Sequence, residues 1–333
     1  MKDERNYSLK LHNTFGIDAK CSRFLEYETI AEAQEVARIL RESASPYIII
    51  GGGSNLLLTK DYDGIVVRSG IKGVERQGNH LICGSGEVWD DIVAQSISIQ
   101  LYGAENLSLI PGDVGASAVQ NIGAYGSEVK DFIRKIMAVE ISTGSIREFS
   151  NEECEYGYRE SRFKHEWKNR FLILSVEYEF SETFKPRLDY GNIRVELERK
   201  GISEPTAQQL RDAIIDIRNA KLPDPKVMGN AGSFFMNPIV SREKYLTLAS
   251  EYEGMPHYEI DANHVKIPAG WMIEQCGWKG KSLGRAGVHD KQALVLVNRG
   301  GATGAEIVAL CEAIQKDVKA KFDIDIRPEV NII

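Results

Sequence analysis

The sequence predicts an α+β protein that is divided into more than one part. A helix candidate at residues 29–42 is followed by strand candidates at 47–50 and 64–68, in a β–α–β alternation. Strand patterns then dominate residues 71–180, and a segment rich in proline and glycine at 221–232 marks a boundary before a mostly helical remainder. A chain of 333 residues is long enough for two or three domains with a sizeable core.

Composition and charge exclude several classes of protein. The chain carries 41 basic and 48 acidic residues and has no run rich in lysine or arginine, so we expect no nucleic-acid partner. The five cysteines form no C-x-x-C pair and the six histidines show no H-E-x-x-H spacing, so we expect no metal site. There is no apolar stretch near the roughly 20 residues of a membrane span, and residues 1–10 do not resemble a signal peptide. These features predict a cytoplasmic protein with reduced thiols.

The first helix candidate has its own start signal. Thr29 and Glu32 have the spacing of a capping box. The apolar residues expected on its buried face are Ile30, Ala33, Ala37 and Leu40. The pattern predicts an amphipathic helix over residues 29–42.

The middle of the chain alternates between strands and helices. The run IKGVERQGNHLIC predicts a hairpin that turns at residues 77–79, and the run after it predicts a helix at 89–101. The apolar side of that helix is formed by Trp89, Ile92, Val93 and Ile97. Further strands are expected at 135–141, 145–149 and 171–180, and a further helix at 205–220.

The remainder contains three helix candidates and one strand candidate. The helices are expected at 241–250, 268–276 and 304–321, and the strand at 293–297. Thr303 and Glu306 form the capping box of the last helix, whose apolar positions are Ile307, Leu310, Ile314 and Val318. An extended segment follows it.

The run PYIIIGGGSNLLL is the first candidate for a ligand site. A strand that ends in Gly51, Gly52 and Gly53 offers bare backbone N–H groups, which often bind phosphate. The run matches neither the Walker motif nor the dinucleotide fingerprint. A tight turn between two core strands is the alternative.

A second glycine cluster, IPGDVGASAVQNIGAYG at residues 110–126, strengthens the case for a ligand. Small residues at this density let the backbone lie against a planar group. Gln120 and Asn121 supply amides that could contact the edge of a ring. Two such segments favour a large cofactor with a diphosphate and a planar ring, and a glycine-rich loop buried between domains is the alternative.

Arg159 lies in a basic segment, YGYRESRFK, that also contains two tyrosines. Arginine is suited to bidentate contact with a carboxylate or a phosphate. A solvated basic turn is the alternative.

Three other candidates lie in the remainder of the chain. Ser233 in GNAGSFFMNP follows a glycine and precedes two phenylalanines, as either a positioned proton donor or a turn residue. Residues 271–297 contain several cations in a glycine-broken loop, which either holds an anion or lies at the surface. Glu329 follows a stiff proline, and a solvated glutamate is the alternative reading.

Together these segments resemble one known family over nearly the whole chain. In the same order, its members carry GGGSNLL-like turns, IPGxVGAxxxQNxGAYG, GYRxSxFK, KLPDPKxxGNAGSFFxNP, AGWxIxQCGxKG, VHxxQALVLVN and PEV. The family is that of UDP-N-acetylenolpyruvoylglucosamine reductase, also called UDP-N-acetylmuramate dehydrogenase. Tyr190, in RLDYGNI, resembles the tyrosine loop of one subgroup.

The resemblance implies a fold, a cofactor and a reaction. The fold would be α+β, with a vanillyl-alcohol-oxidase-type FAD-binding domain and a separate α/β substrate domain. The implied reaction is the reduction of UDP-N-acetylglucosamine enolpyruvate to UDP-N-acetylmuramate in peptidoglycan precursor synthesis, with noncovalent FAD and with NADPH as co-substrate. The expected parts are an FAD-binding lobe at 1–70 plus 323–333, a second FAD-binding lobe at 71–219 and a substrate-binding domain at 220–322. We expect a monomer.

The resemblance also implies residue roles. Ser233 would be the proton donor, and Arg159 and Glu329 would polarise the enolpyruvyl carboxylate. The residues that would bind FAD are Gly51, Gly52, Gly53, Ser54, Asn55, Pro111, Gly112, Gly115, Ala116, Ser117, Gln120, Asn121, Gly123 and Ala124. The residues that would bind substrate are Tyr190, Lys221, Asn237, Tyr258, Lys279 and Gln292.

Two other functions stay open as alternatives. One is a flavin oxidase of the same superfamily that passes electrons from an alcohol to oxygen, and the other is a non-catalytic protein that binds a nucleotide sugar or senses flavin. The serine of GSFF and the basic segments argue against the oxidase, because an oxidase needs no clamp for a carboxylate.

Overall fold

A computed structural model describes residues 1–333, and the chain divides into two compact units. The first unit consists of Met1–Tyr7, Cys21–Gly53 and Tyr62–Ala220. The second consists of Ser8–Lys20, Ser54–Asp61 and Lys221–Ile333. The junction before Lys221 coincides with the start of the proline-rich segment in the sequence, whereas the division into three parts stays a prediction.

Eight α-helices and twenty short or medium strands make up the regular structure. The helices are α1 (Ile30–Glu42), α2 (Trp89–Ser98), α3 (Val114–Gln120), α4 (Ile193–Arg199), α5 (Ala207–Lys221), α6 (Arg242–Glu251), α7 (Ala269–Gln275) and α8 (Gly304–Phe322). The first ten strands are β1 (Lys2–Ser8), β2 (Lys20–Tyr27), β3 (Tyr47–Ile50), β4 (Leu56–Leu57), β5 (Tyr62–Ser69), β6 (Val74–Gln77), β7 (His80–Gly84), β8 (Gly123–Ala124), β9 (Ser127–Glu128) and β10 (Ile133–Glu140). The others are β11 (Ile146–Ser150), β12 (Phe171–Glu179), β13 (Asn230–Ser233), β14 (Ile239–Ser241), β15 (Tyr258–Glu259), β16 (His264–Lys266), β17 (Ser282–Leu283), β18 (Ala286–Val288), β19 (Val295–Asn298) and β20 (Asn331–Ile332).

The first unit contains two larger sheets with different strand directions. One has the order β1-β2-β5-β3, in which β2 and β3 both run parallel to β5. Parallel strands need a crossover connection, and α1 supplies it between β2 and β3. The other sheet, β11-β10-β12-β7-β6, is antiparallel, and its β6–β7 hairpin turns where the sequence predicts, with Gln77 opposite His80.

The predicted helices of the first unit bury the apolar faces expected from their sequences, except at one position of α1. The apolar side of α2 is buried as predicted, with Trp89 packed edge-on against Tyr178. On α1 the prediction was wrong for Ile30, which is 41% exposed, and Val36 lies in the core instead. Helix α1 thus packs through a stripe that begins one turn later than expected.

Helices α3 and α4 were not predicted. Residues 114–120 of the second glycine cluster form α3, with Val114, Gly115, Ser117 and Ala118 buried, where the sequence analysis expected a backbone that lies against a planar group. Small residues are compatible with a short helix when neighbouring elements leave space for nothing larger. The cluster therefore contains a short helix that is followed by the two-residue strand β8.

The second unit contains three small sheets and the longest helix. The sheet β13-β19-β18-β17 is antiparallel, as is β14-β16-β15, and β20 pairs in parallel with β4. The predicted capping box of α8 is present between Thr303 and Glu306, and all four predicted apolar positions of this helix are buried. None of the eight helices combines the length and the apolar character that crossing a bilayer requires.

Candidate functional site

The two glycine clusters meet inside the first unit. Gly51 and Gly52 follow β3, and a Cβ atom added to Gly51 would lie only 2.7 Å from the Cβ of Ala116. A Cβ atom added to Gly52 would lie 3.1 Å from Oδ1 of Asp113. Only glycine permits this approach of the turn to residues 112–116. The structure therefore packs the two segments against each other, and we refer to this pair of segments as the glycine cradle.

The carboxylate of Asp113, which lies next to Gly52, is balanced by a cation. Burial raises the pKa of Asp113, and the guanidinium of Arg68, with Nη2 3.3 Å from Oδ2, opposes that shift. Arg68 also donates from Nη1 to Glu26 at 2.7 Å. The acidic side chain next to the glycine turn is therefore paired within the protein.

Two of the predicted FAD-binding residues, Ser117 and Asn121, form side-chain hydrogen bonds within the protein. The hydroxyl of Ser117 donates to the carbonyl of Val114 at 2.7 Å and lies 3.0 Å from the hydroxyl of Tyr178. The amide of Asn121 donates to the carbonyl of Gly157 at 2.6 Å and accepts from the N–H of Lys130. These side chains hold the shape of the 110–126 segment.

Gln120 is different, because its amide oxygen accepts no hydrogen bond within the protein. The Oε1 atom is buried and has no hydrogen-bond partner in the protein. A buried acceptor without a donor is costly, so such an atom is expected to have a partner in the working state. A bound ring that carries an N–H group would satisfy it. The open acceptor and the glycine cradle both fit a flavin nucleotide.

Arg159 lies at the other end of the second glycine cluster. Its Nη2 donates to the carbonyl of Gly123 at 2.6 Å, and its Nη1 donates to the carbonyl of Asn121 at 3.3 Å. A Cβ atom at Gly123 would be 3.0 Å from Nη1. The structure thus brings the predicted catalytic arginine and the predicted flavin segment together.

Arg218 on α5 is a residue that the sequence analysis missed. Burial lowers the pKa of Arg218, and the nearby cation of Arg159 lowers it further, whereas Tyr125 and Asp90 act in the opposite direction. Its Nε atom is buried and has no hydrogen-bond partner. Two positively charged guanidinium groups that lie near one another favour the binding of an anion beside them. Arg211, Ile214 and Arg218 share one face at helical spacing, and the arginines in that stripe were the available signal.

Tyr190 lies against the end of the same segment. A Cβ atom at Gly126 would be 3.5 Å from Cδ2 of Tyr190, and one at Gly191 would be 3.4 Å from Cδ1 of Tyr125. The tyrosine loop therefore packs on residues 125–126, and Tyr190 itself is 39% exposed.

In the second unit the structure brings Ser233, Glu329 and Asn55 together along the backbone. Ser233 is the last residue of β13, and the next residue, Phe234, accepts a hydrogen bond at its carbonyl from the N–H of Glu329 at 2.8 Å. The amide of Asn55 donates to the carbonyl of Glu329 at 3.2 Å. Ser233 is exposed.

Three predicted substrate residues of the second unit have protein partners. Oδ1 of Asn237 accepts from the N–H of Ala269, the first residue of α7, and Oε1 of Gln292 accepts from the N–H of Leu294. Lys279 forms an ion pair with Glu274 at 2.9 Å, and this carboxylate partly neutralises the positive charge that would attract an anionic substrate. The substrate roles of these residues stay predictions.

Tyr258 has a cationic neighbour that the sequence analysis did not assign. Lys266 lies opposite Tyr258 across the β15–β16 pair, with Nζ 5.6 Å from the ring centroid. On the neighbouring strand β14, Ile239 also lies opposite Lys266. An aromatic ring next to an ammonium group suits a planar or anionic part of a ligand. The position of Lys266 in a three-residue strand gave no signal in the sequence.

Family comparisons agree with both units. Residues 22–150 match the family described as an FAD binding domain, and residues 224–333 match the C-terminal domain of UDP-N-acetylenolpyruvoylglucosamine reductase. The glycine cradle and the open acceptor of Gln120 lie within the first of these ranges. The fold and the site therefore define an FAD-dependent oxidoreductase.

Relatives and a solved structure extend the match to the full chain. The chain is 54% identical to the UDP-N-acetylenolpyruvoylglucosamine reductase of Bacteroides fragilis over 99% of its length and 100% of the relative. It is 46% identical to that of Flavobacterium johnsoniae, with complete coverage of both chains. The crystal structure of the reductase from Thermus caldophilus superposes with a TM-score of 0.71 at 20% identity, covering 100% of this chain and 99% of that one. The chain belongs to the UDP-N-acetylenolpyruvoylglucosamine reductase family, and the resemblance and the α+β fold expected from the sequence are confirmed.

Proposed function

We propose that the protein reduces UDP-N-acetylglucosamine enolpyruvate to UDP-N-acetylmuramate with NADPH, as a step of peptidoglycan precursor synthesis. The observation that carries the proposal is the pair of guanidinium groups of Arg159 and Arg218 at the end of a glycine-lined cradle. Family membership over the full chain supports the same reaction. When bound, FAD would take up a hydride from NADPH and pass it to the substrate.

The cradle residues would hold the cofactor without a covalent bond. Gly51 and Gly52 would bind the diphosphate through their backbone N–H groups, and their close packing on residues 112–116, which a side chain would prevent, would hold the turn in place. Gln120 would accept a hydrogen bond from an N–H group of the ring. Asn121 and Ser117 would act through the backbone shape that they maintain.

The arginines would make a difficult substrate reactive. An enol ether is rich in electrons and accepts hydride poorly, so its carboxylate must take up the incoming charge. Arg159 would stabilise that charge through charge-assisted hydrogen bonds, and Arg218 would add a second cation. Glu329 would assist as a protonated donor or through a water molecule. Preorganised donors of this kind cost no reorganisation at the moment of reaction.

Ser233 would deliver the proton that completes the reduction. A hydroxyl is a weak acid, but the charged substrate species is a strong base, so transfer is reasonable when the geometry is fixed. The place of Ser233 at the end of β13, one residue before the backbone contact with Glu329, supports such a fixed geometry.

The remaining polar residues would bind the nucleotide sugar. Tyr190, Lys221, Asn237, Tyr258, Lys279 and Gln292 are the proposed contacts, and Lys266, whose ammonium group lies near the ring of Tyr258, would add a cation for the diphosphate. We further propose a monomer that works in the cytoplasm, where NADPH and nucleotide sugars are made. All five cysteines are free thiols, as a reducing compartment requires.

An anaerobic titration of the purified protein tests the proposal. The expected result is a yellow protein that releases FAD on acid precipitation, bleaches with NADPH and regains its colour with the enolpyruvyl substrate. In a parallel aerobic assay, rapid oxygen consumption with an alcohol and no response to NADPH would instead indicate the oxidase. FMN as the released flavin would refute the diphosphate role of the glycine turn.

A further inference from the structure

Asp90, near the start of α2, is a half-buried carboxylate that joins two separate segments of the first unit. Its Oδ1 accepts a hydrogen bond from the N–H of Leu109 at 2.5 Å. Arg211 of α5 binds both oxygens, with Nη1 2.6 Å from Oδ1 and Nη2 2.9 Å from Oδ2. The side chain of Arg211 is only 9% exposed, so this bidentate pair is shielded from water.

Through its hydrogen bond to Leu109, Asp90 fixes the backbone that leads into the second glycine cluster. Leu109 has a φ of +58°, which is uncommon for a residue with a side chain. The neighbouring Trp89 donates from its indole Nε1 to the carbonyl of Leu107 and from its backbone N–H to the carbonyl of Gly112, both at 3.0 Å. The first two residues of α2 thus fix residues 107–112 at three points, and Asp90 satisfies the N–H of the strained residue among them.

Asp90 also holds the helix that carries Arg218. Arg211 and Arg218 are seven residues apart on α5, so they share a face and lie about 10 Å apart along its axis. The negative charge of Asp90 also supports the charged form of Arg218, whose pKa burial lowers. The bidentate pair therefore sets both the rotation of α5 and the charge environment of its second arginine.

We propose that Asp90 is a positioning residue for the reaction, because its carboxylate fixes both the backbone that lines the flavin and the helix that presents Arg218. The proposal rests on the proposed function. It assigns Asp90 no contact with substrate or cofactor. A buried ion pair that only stabilises the fold is the competing explanation.

Three variants separate these explanations. Asp90→Asn keeps the shape of the side chain and removes its charge. Asp91→Asn is the matched control, because Asp91 is the next residue of the same first turn and is exposed. The double variant Asp90→Asn, Arg211→Gln removes the guanidinium that the single variant leaves buried without its partner. Each protein is measured for Tm, for the Kd of FAD binding to the apoprotein, and for the rates of the two half-reactions.

The proposal predicts a pattern that a purely structural role does not produce. Asp90→Asn should weaken FAD binding and slow reoxidation by the enolpyruvyl substrate by roughly 10²-fold, the scale expected for misplaced groups, with a smaller effect on reduction by NADPH. The double variant should regain much of the lost Tm without regaining the rate of reoxidation. Asp91→Asn should match the wild type in every measurement.

Two results would overturn the proposal. One is a double variant that regains Tm, FAD affinity and reoxidation rate together, since function would then follow stability alone. The other is an Asp90→Asn protein that behaves like Asp91→Asn. A wild-type protein that does not reduce the enolpyruvyl substrate would refute the proposed function instead, and the FAD affinities of the two single variants would still test the role of Asp90 at Leu109.

Discussion

Gly51→Ala is the sharpest test of the cradle, because the structure fixes what the added methyl group meets. The new Cβ atom would lie 2.7 Å from the Cβ of Ala116. Carbon atoms pack at about 3.5–4.0 Å, so the turn or α3 must move by roughly 1 Å. Such overpacking typically costs about 1–3 kcal/mol, which corresponds to roughly 5- to 150-fold in an equilibrium constant. Because the displaced backbone is the proposed diphosphate site, we expect the Kd of FAD to rise by this factor.

A second substitution should reverse the effect. Ala116→Gly removes the atom that the new methyl group contacts, and the next nearest atoms to that methyl group are Oδ2 of Asp113 at 3.8 Å and Cα of Ala116 at 3.9 Å. The double variant Gly51→Ala, Ala116→Gly should therefore recover most of the FAD affinity, apart from about 1 kcal/mol of stability for a glycine in α3.

Fluorescence titration of apoprotein with FAD, together with thermal melts, provides the measurement. The reasoning fails if Gly51→Ala binds FAD as tightly as the wild type. It also fails if the double variant binds no better than the single one, since the contact with Ala116 would then not be the cause.

Substitutions at three further positions test the proposed roles of single side chains. Ser233→Ala should be reduced by NADPH at nearly the wild-type rate but reoxidised by substrate about 10²–10⁴-fold more slowly, and equal slowing of both steps in anaerobic stopped-flow would remove Ser233 from the acid role. Tyr190→Ala should raise the substrate KM more than Tyr190→Phe does, and an unchanged KM in steady-state assays would contradict a role over the substrate. Arg218→Gln should weaken substrate binding by roughly tenfold or more, since a charged hydrogen bond is worth about 1.5–3 kcal/mol. Unchanged substrate affinity in Arg218→Gln would mean that this cation serves only the fold.

Local signals in the sequence predicted local structure well. The capping box of Thr303 and Glu306 is present because both partners lie within one helical turn. The same spacing at Thr29 gave only half of the motif, since the carboxylate of Glu32 accepts from the N–H of Glu28. The backbone N–H that the glutamate side chain contacts depends on the path of the residues that lead into the helix. The spacing of threonine and glutamate carries no information about that path.

The features that the sequence analysis missed depend on tertiary contacts. The contact between Arg159 and Gly123 spans 36 positions, so the segments were found separately and only the fold shows that they meet. Arg218 was missed because an arginine in the last turn of a helix ordinarily faces water. Helix α3 was missed because its small residues gave no apolar period, and its conformation is set by packing against neighbours such as Ser85.

The pairing of β20 with β4 sets an order of events during protein synthesis. Asn55 and Glu329, which are hydrogen-bonded in the folded protein, are separated by 274 positions. At a synthesis rate of about 5–20 residues per second, the ribosome needs roughly 14–55 seconds to make the partner of a segment that has already emerged. During that interval Leu56 and Leu57, both buried in the folded structure, have no strand to pair with and are open to chaperones and to aggregation. Glu329, whose carboxylate we propose for catalysis, therefore arrives with the same segment that completes the sheet, so a nascent chain that lacks this segment would not yet hold the full set of proposed reacting groups.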